Sequence, residues 1–255
     1  AQNRRLSSLE CHDIMCKVGE IVVSGGVRRS AMISLSNLSD DRMRHAKSGN
    51  WWEHAGHRAL ANNSVSYTEK PDMETFLREW TALVESKSGE RGIFNRQASK
   101  KQAAKNGRRN SEWEFGTNPC SEIILRPYQF CNLSEVVVRA TDDMKSLSNK
   151  VRLATIIGTI QSSLTKFPYL RKVWQNNTEE ERLLGVSLTG IMDNPLLTAK
   201  NKGLAQTLDH LRHIAVATNK EWAVRLGVQQ STAITCVKPS GTVSQLVDSA
   251  SGIHA

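Results

Sequence analysis

Cys120 and Glu122 stand in the box Asn118-Pro119-Cys120-Ser121-Glu122, and a second thiol, Cys131, opens the next apolar run. Pro119 fixes the backbone locally and biases Asn118 toward an extended conformation. Residues two apart on an extended chain share a side, so Asn118, Cys120 and Glu122 are expected to project together. An amide, a thiol and a carboxylate then occupy one small volume. A neighbouring carboxylate favours the protonated thiol. A thiolate nucleophile wants instead a histidine or a helix N-terminus, and no histidine is close in sequence. The set suits a thiol that stays protonated and gives up a hydrogen atom, with the carboxylate as general base toward a neighbouring hydroxyl. A loop with one core thiol and a surface carboxylate explains the same spacing, and both readings stay open here. Cys131 alone reads as a core thiol. Paired in space with another cysteine, it could cycle between dithiol and disulfide.

The remaining cysteines narrow the chemistry. Five is an odd count and no secretory leader is visible, which argues against a disulfide-stapled exported fold and for a cytoplasmic setting. Cys11 and Cys16 lie five apart on an expected helix and share no face, with His12 pointing elsewhere. No second Cys or His pair follows at metal spacing, so no metal site is expected.

The elements that must position these groups alternate. Residues 8–23 space Leu9, Ile14, Val18, Ile21 and Val22 like one helix face, ended by Gly25 and Gly26. "VRRSAMISLS" reads as a strand with Ala31, Ile33 and Leu35 inward. Residues 40–63 look partly helical, with breaks at Gly49 and Gly56, and "NSVSYTE" is a second strand. A helix follows Pro71, with Met73, Phe76, Leu77, Trp80 and Leu83 on one side. "RGIFNR" is a short strand, and a polar stretch over 96–115 leads into the cysteine box. "CNLSEVVVR" is a strand by its β-branched content. A long helix begins near Asp142 and Asp143, and Leu183 to Leu188 form a buried strand. Another helix spans 201–226, with Leu204, Leu208, Leu211, Ala215 and Trp222 in phase. "STAITCVKPSGTVSQLV" closes as strand, turn and helix start. Repeated alternation argues for an α/β architecture with parallel strands and sites at strand ends. Neither a dinucleotide fingerprint nor a P-loop occurs.

Composition fits a globular protein, at 39% hydrophobic and 23% charged. No apolar run is long enough to cross a bilayer, so no membrane partner is expected. The net charge of +9 includes a local cluster of Arg96, Lys100, Lys101, Lys105, Arg108 and Arg109. A solvated face explains the cluster; phosphate or nucleic-acid contact is the rival.

The motif "NPCSEI...FCNLSEV" resembles the active-site signature of ribonucleotide reductases. The short gap to the second cysteine is similar to the adenosylcobalamin-dependent, class II branch; in the iron-dependent class the gap is longer. "CHDIMCKVGEIVVSGGVRRSA", "ERLLGVSLTGIMD" and "VKPSGTVSQLV...SGIHA" resemble the same family in the same order, so the resemblance covers nearly the whole chain. Its flavour is closest to the monomeric ribonucleoside-triphosphate branch. The resemblance implies a ten-stranded α/β barrel with the radical cysteine on a central finger loop. Residues 1–255 would be the central and C-terminal part of that catalytic barrel, cut at both ends.

By the same resemblance, Cys120 matches the thiyl-radical cysteine that takes the 3′-hydrogen of a ribonucleotide. Glu122 matches the base for the 3′-hydroxyl proton, and Asn118 the amide that hydrogen-bonds the substrate hydroxyls. Cys131 matches one half of the redox pair. Pro239, Ser240, Gly241 and Thr242, after Lys238, resemble the substrate-phosphate loop. Free N–H groups at a helix start suit an anion there, although a plain turn with an N-cap reads equally well from the residues alone. Ser64, in the Asn62-Asn63-Ser64 patch, is expected as a further substrate contact, although a strand-entry turn explains the patch equally well. The implied cofactor is adenosylcobalamin, and the implied reductant is of thioredoxin type. Effector dNTP or ATP would bind through regions outside this chain, and no direct nucleic-acid contact is implied.

The departures set limits. The resemblance implies that the partner of Cys131 lies far upstream, before residue 1; Cys11, Cys16 and Cys236 do not match it in context. The C-terminal thiols that re-reduce the pair are absent as well. An incomplete barrel leaves strand edges unpaired, so the isolated chain is expected neither to fold stably nor to turn over. The rivals are the large subunit of an iron-dependent class I reductase and, in another class, a basic nucleic-acid-binding module.

Overall fold

A computed structural model of the chain describes residues 3–24, 27, 28 and 30–254. The Gly25-Gly26 turn signal lies outside the described residues. The chain divides into two compact units, Ala1–Gln102 with Glu112–Ile124, and Ala103–Ser111 with Leu125–Ala255.

The first unit begins with α1 (Ser8–Glu20), where Ser7 and Glu10 form a reciprocal capping box. Short strands β1 (Val23–Ser24) and β2 (Val27–Arg28) lead to β3 (Met32–Ser36). Helices α2 (Asp41–Arg44) and α3 (Trp51–Ala55) and a 3-10 turn (Gly56–Leu60) precede β4 (Ala61–Tyr67). Then come α4 (Met73–Ser86), β5 (Gly92–Asn95), α5 (Arg96–Ala104) and β6 (Gly116–Thr117). Strands β3, β4 and β5 form one parallel sheet in sequential order, with Leu35 opposite Ser64 and Ser64 opposite Gly92.

Two helices turn faces that differ from the sequence expectation. On α1 the buried residues are His12, Cys16 and Gly19, while Ile14, Val18, Ile21 and Val22 are exposed. The cause is close approach. A Cβ on Gly19 would lie 2.1 Å from Leu60 Cδ2, and Asp13 takes a two-pronged ion pair from Arg58 at 2.6 and 2.7 Å. On α4 the side chain that goes under is Glu79, with Met73, Leu77 and Trp80 exposed. Arg44 and Arg91 draw that carboxylate inward.

The second unit holds β8 (Asn132–Val137), which follows the short β7 (Ile124–Leu125). It continues through α6 (Met144–Gln161), α7 (Lys172–Glu181), β9 (Leu184–Thr189), α8 (Leu204–Leu226) and α9 (Gly241–Leu246). Strands β8 and β9 run parallel, with Asn132 opposite Leu184. Their apolar side meets α6 and α8 in a core of Val136, Val138, Leu147, Val151, Leu184, Val186, Leu211, Ala215 and Ile234. Asp143 caps α6, as the acidic pair predicts. Asn219 ties α8 to Thr159 and Ser231, each at 3.0 Å. The strand expected near 231–236 is reduced to a single parallel bridge, Val186 to Thr235.

Parallel strands alternating with helices are therefore observed in each unit. Among the described residues a closed ten-stranded barrel is not seen. Helix α7, inside a segment with no apolar period, is an addition to the expected elements.

Candidate active site

The cysteine box is a turn, which corrects the expectation of an extended stretch. Ser121 N donates to Asn118 O at 2.9 Å, and Ser121 takes a φ of +64°. Two further bonds close the loop: Asn118 N donates to Ile123 O at 3.3 Å, and Ile123 N donates to Asn118 Oδ1 at 3.0 Å. Thr117 Oγ1 also donates to Ile123 O at 2.9 Å. Pro119 and Cys120 are the two central residues. Pro at the second position of a turn and Asn at the first are favoured, so the sequence held this signal. Alternation therefore does not align Asn118, Cys120 and Glu122. Cys120 is exposed at the tip, while Asn118 and Glu122 are half-buried at its feet. The carbonyl of Asn118's amide is committed to the loop.

Strand β4 supports the turn. Asn62 Nδ2 donates to Pro119 O at 2.7 Å. Ser64 follows two residues later on the same face of β4, half-buried, with its hydroxyl 3.0 Å from where a Cβ on Gly92 would sit. Gly92 is what leaves Ser64 room. The intervening Asn63 is buried on the opposite face, and its N–H donates to Glu90 Oε2 at 2.8 Å. The first unit thus brings Asn118, Cys120, Glu122 and Ser64 onto β4 and the loop it holds.

Cys131 and Pro239–Thr242 belong to the second unit. Cys131 is half-buried at the head of β8, where Asn132 N donates to Leu183 O at 2.9 Å. The chain just before it is held by α7. Asn177 Nδ2 donates to Pro127 O at 2.9 Å and Tyr128 O at 3.3 Å. Phe130 packs against Trp174 with centroids 4.8 Å apart. Arg126 reaches Glu180 Oε2 at 2.6 Å. Buried Glu181 pairs with Arg109 at 2.9 Å and also accepts from Gln129. Trp174, Asn177 and Glu181 recur at helical spacing, the one signal that marks α7 in the sequence.

At the phosphate-like loop, Ser240 is a left-handed N-cap with φ +57°, 3% exposed, and its hydroxyl has no hydrogen-bond partner among the described residues. Gly241 and Thr242 are exposed at the start of α9. Pro239 O accepts from Gly252 N at 3.0 Å, so the stretch after α9 doubles back onto the loop. A nearby cleft of about 480 Å³, lined by Arg139, Asp193, Asp248 and Ser249, contains none of the expected site residues.

His12 and Cys16 are buried together on α1. Cys16 Sγ lies 3.6 Å from His12 Nε2. Burial holds His12 below the ordinary imidazole range and pushes the Cys16 thiol up. Among the described residues no group of three His, Cys, Asp or Glu could hold a metal. Of the basic cluster, Arg109 is buried against Glu181, and Arg96 donates to Phe115 O at 2.9 Å. No described helix is long and apolar enough to cross a membrane.

No family model matches the chain. An adenosylcobalamin-dependent ribonucleoside-triphosphate reductase of Lacticaseibacillus paracasei is 30% identical over 282 residues, covering 98% of this chain and 36% of that protein. The solved structure of a B12-dependent class II ribonucleotide reductase superposes with a TM-score of 0.74 at 25% identity, over 97% of this chain and 37% of that one. The class Id ribonucleotide reductase alpha subunit of Actinobacillus ureae gives 0.66 at 13% identity, over 98% of this chain and 53% of that one, which shows likeness of fold alone. The curated homologues of this chain are adenosylcobalamin-dependent ribonucleoside-triphosphate reductases, and it spans about a third of their length.

Proposed function

We propose that this chain is part of the catalytic barrel of an adenosylcobalamin-dependent enzyme that reduces ribonucleoside triphosphates to 2′-deoxyribonucleotides. The observation that carries the reading is the similarity to such reductases along 98% of the chain. It takes in a turn that presents Cys120 at its tip. In this reading the turn is the finger loop of a ten-stranded barrel.

Each residue then has its own part in the chemistry. A thiyl radical on Cys120 takes the 3′-hydrogen: the C3′–H bond breaks and the S–H bond forms. Glu122 accepts the 3′-hydroxyl proton, and the NH2 end of Asn118 holds the ribose hydroxyls. Cys131 and a second thiol supply two electrons as the 2′-hydroxyl leaves as water, and become a disulfide. Ser64 contacts the substrate from β4. Pro239, Ser240, Gly241 and Thr242 take the phosphates, where the buried hydroxyl of Ser240 and the N–H groups opening α9 are donors for anionic oxygen. When bound, adenosylcobalamin would supply the one-electron oxidant that takes the hydrogen atom of the Cys120 thiol. An exposed sulfur on a tight turn suits approach by so large a group. A thioredoxin-type protein reduces the disulfide, dNTP or ATP effectors bind outside this chain, and the setting is the cytoplasm.

The test is Cys120→Ser in the full-length protein. A hydroxyl O–H bond is too strong for the radical step, so reduction is abolished while ribonucleotide still binds. Turnover at the wild-type rate in that variant would sink the assignment. Activity with adenosylcobalamin and no second subunit supports class II; dependence on a metal-radical partner subunit supports the class I alternative. The nucleic-acid reading predicts salt-dependent DNA binding indifferent to Cys120→Ser, and the engagement of Arg96 and Arg109 inside the fold weakens it.

A further inference from the structure

We infer that Asn62 is a positioning residue for the radical cysteine: its side-chain amide fixes the peptide plane that enters Cys120. The inference rests on the proposed role of Cys120. Asn62 Nδ2 donates to Pro119 O at 2.7 Å, and that oxygen belongs to the peptide joining Pro119 to Cys120.

This peptide is the one the turn leaves loosest. The bond from Ser121 N to Asn118 O, 2.9 Å, closes the turn but is made by the outer peptides. The central peptide can rotate while that bond persists, which is the difference between type I and type II turns. Rotation changes ψ of Pro119 and φ of Cys120, and so swings the sulfur. Pro119 holds its own φ but not its ψ. Cys120 is not among the residues with positive φ, so the central peptide has the orientation that suits a non-glycine residue at the third position. A donor anchored in β4 holds it there.

The anchor is itself rigid. Asn62 lies in the middle strand of a three-stranded parallel sheet, opposite Ile33, and its neighbour Asn63 is buried and bonded to Glu90. Loop position is thereby referred to a strand rather than to another loop. The Cys120 side chain is exposed at the tip of the turn, so its sulfur is placed through the backbone. Hydrogen-atom transfer needs near-contact distances, and a displacement of about 1 Å can cost about a hundredfold in rate.

The experiment uses the full-length protein with Asn62→Asp, which keeps the shape and removes the donor, and Asn62→Gln, which keeps a donor on a longer stem. The readouts are kcat and KM for the ribonucleotide, and the rate at which iodoacetamide alkylates Cys120, followed by mass spectrometry. Asn62→Asp is expected to lower kcat by about tenfold or more with KM unchanged. It is also expected to change the Cys120 alkylation rate about fivefold, the scale of one hydrogen bond. Asn62→Gln is expected to lie between Asn62→Asp and wild type on both readouts. Unchanged kcat and alkylation in Asn62→Asp would overturn the inference. A raised KM with kcat intact would overturn it too, by putting Asn62 on the substrate. If Cys120→Ser retains turnover, the catalytic reading fails, yet a Cys120 alkylation rate altered in Asn62→Leu, which removes the donor without adding a charge, still supports the clamp.

Discussion

Removing the carboxylate of Glu79 should open the first unit locally, because it is the shared counter-charge of two buried guanidiniums. Its Oε1 accepts from Arg44 Nε and Arg91 NH2, both at 2.6 Å, and its Oε2 from Arg91 Nε at 3.0 Å. All three side chains are 5% exposed or less. In Glu79→Ala the two cations are not equally stranded. Arg44 keeps Asp41 and the Leu38 carbonyl, whereas Arg91 keeps, among the described residues, Ser36 Oγ at 2.7 Å and Asn37 O at 3.1 Å, neither charged. Stranding a buried charge costs about 3–5 kcal/mol, or about two to four orders of magnitude in the opening equilibrium. The assay is amide hydrogen exchange of α4 and β5 in the full-length protein, which reads local opening. Adding Arg91→Leu to Glu79→Ala should recover about 1–3 kcal/mol. The pH dependence follows from the same geometry. Burial alone would raise the Glu79 carboxyl, but the bonds from Arg91 and Arg44 outweigh it and hold the group below the usual range. A depressed folded value means the contribution is complete above the unfolded value of about 4.3 and is lost as pH falls through the folded one. Glu79→Gln should flatten that acid limb. Acceleration of exchange by less than about tenfold in Glu79→Ala would refute the reasoning.

Two other perturbations probe the second unit. A Cβ on Gly252 would lie 1.9 Å from Lys238 O, so Gly252→Ala must displace the Lys238–Thr242 loop; nucleotide affinity should fall by about tenfold while Cys120 alkylation is unchanged, as equilibrium binding and mass spectrometry would show. Asp143 accepts from Ser146 N at 2.8 Å at the start of α6, so Asp143→Ala should cost about 1 kcal/mol of stability, read as a lower Tm, with kcat unaffected.

What the sequence discloses depends on whether a residue's role is local. The capping acid of α6, the strands with β-branched runs and the alternation of helix and strand are legible because period and cap are local properties. Orientation is not. On α1 and α4 the apolar stripe is the conspicuous pattern, yet the buried side carries Cys16 and Gly19 or Glu79. Those residues belong inside only because Leu60, or Arg44 and Arg91, arrive from elsewhere in the chain. Helix α7 escapes pattern reading for a related reason: "KVWQNNTEEE" has almost no apolar content, and it is held by Asn177, Glu180 and Glu181 bonding to groups about 50 residues away. In the box, the residue types are legible and the backbone is not. Pro119 biases the residue before it toward extension, but after Asn118 it is equally the second residue of a turn.

That correction changes what holds Cys120. Were the box extended, Cys120 would owe its position to Asn118 and Glu122 beside it. In the turn, the Asn118 carbonyl closes the loop and Asn62 grips the carbonyl before Cys120. The segment before Cys131 is held the same way, by Asn177 on the Pro127 and Tyr128 carbonyls. In the proposed reaction the Cys120 thiol gives up and regains a hydrogen atom, and a hydrogen bond to its S–H would stabilise the resting thiol against the radical. Gripping the Pro119 carbonyl locates the Cys120 sulfur through the backbone. Asparagine suits that role, because its amide donates to a carbonyl at any pH, carries no charge that would perturb the thiol, and has few rotamers to lose.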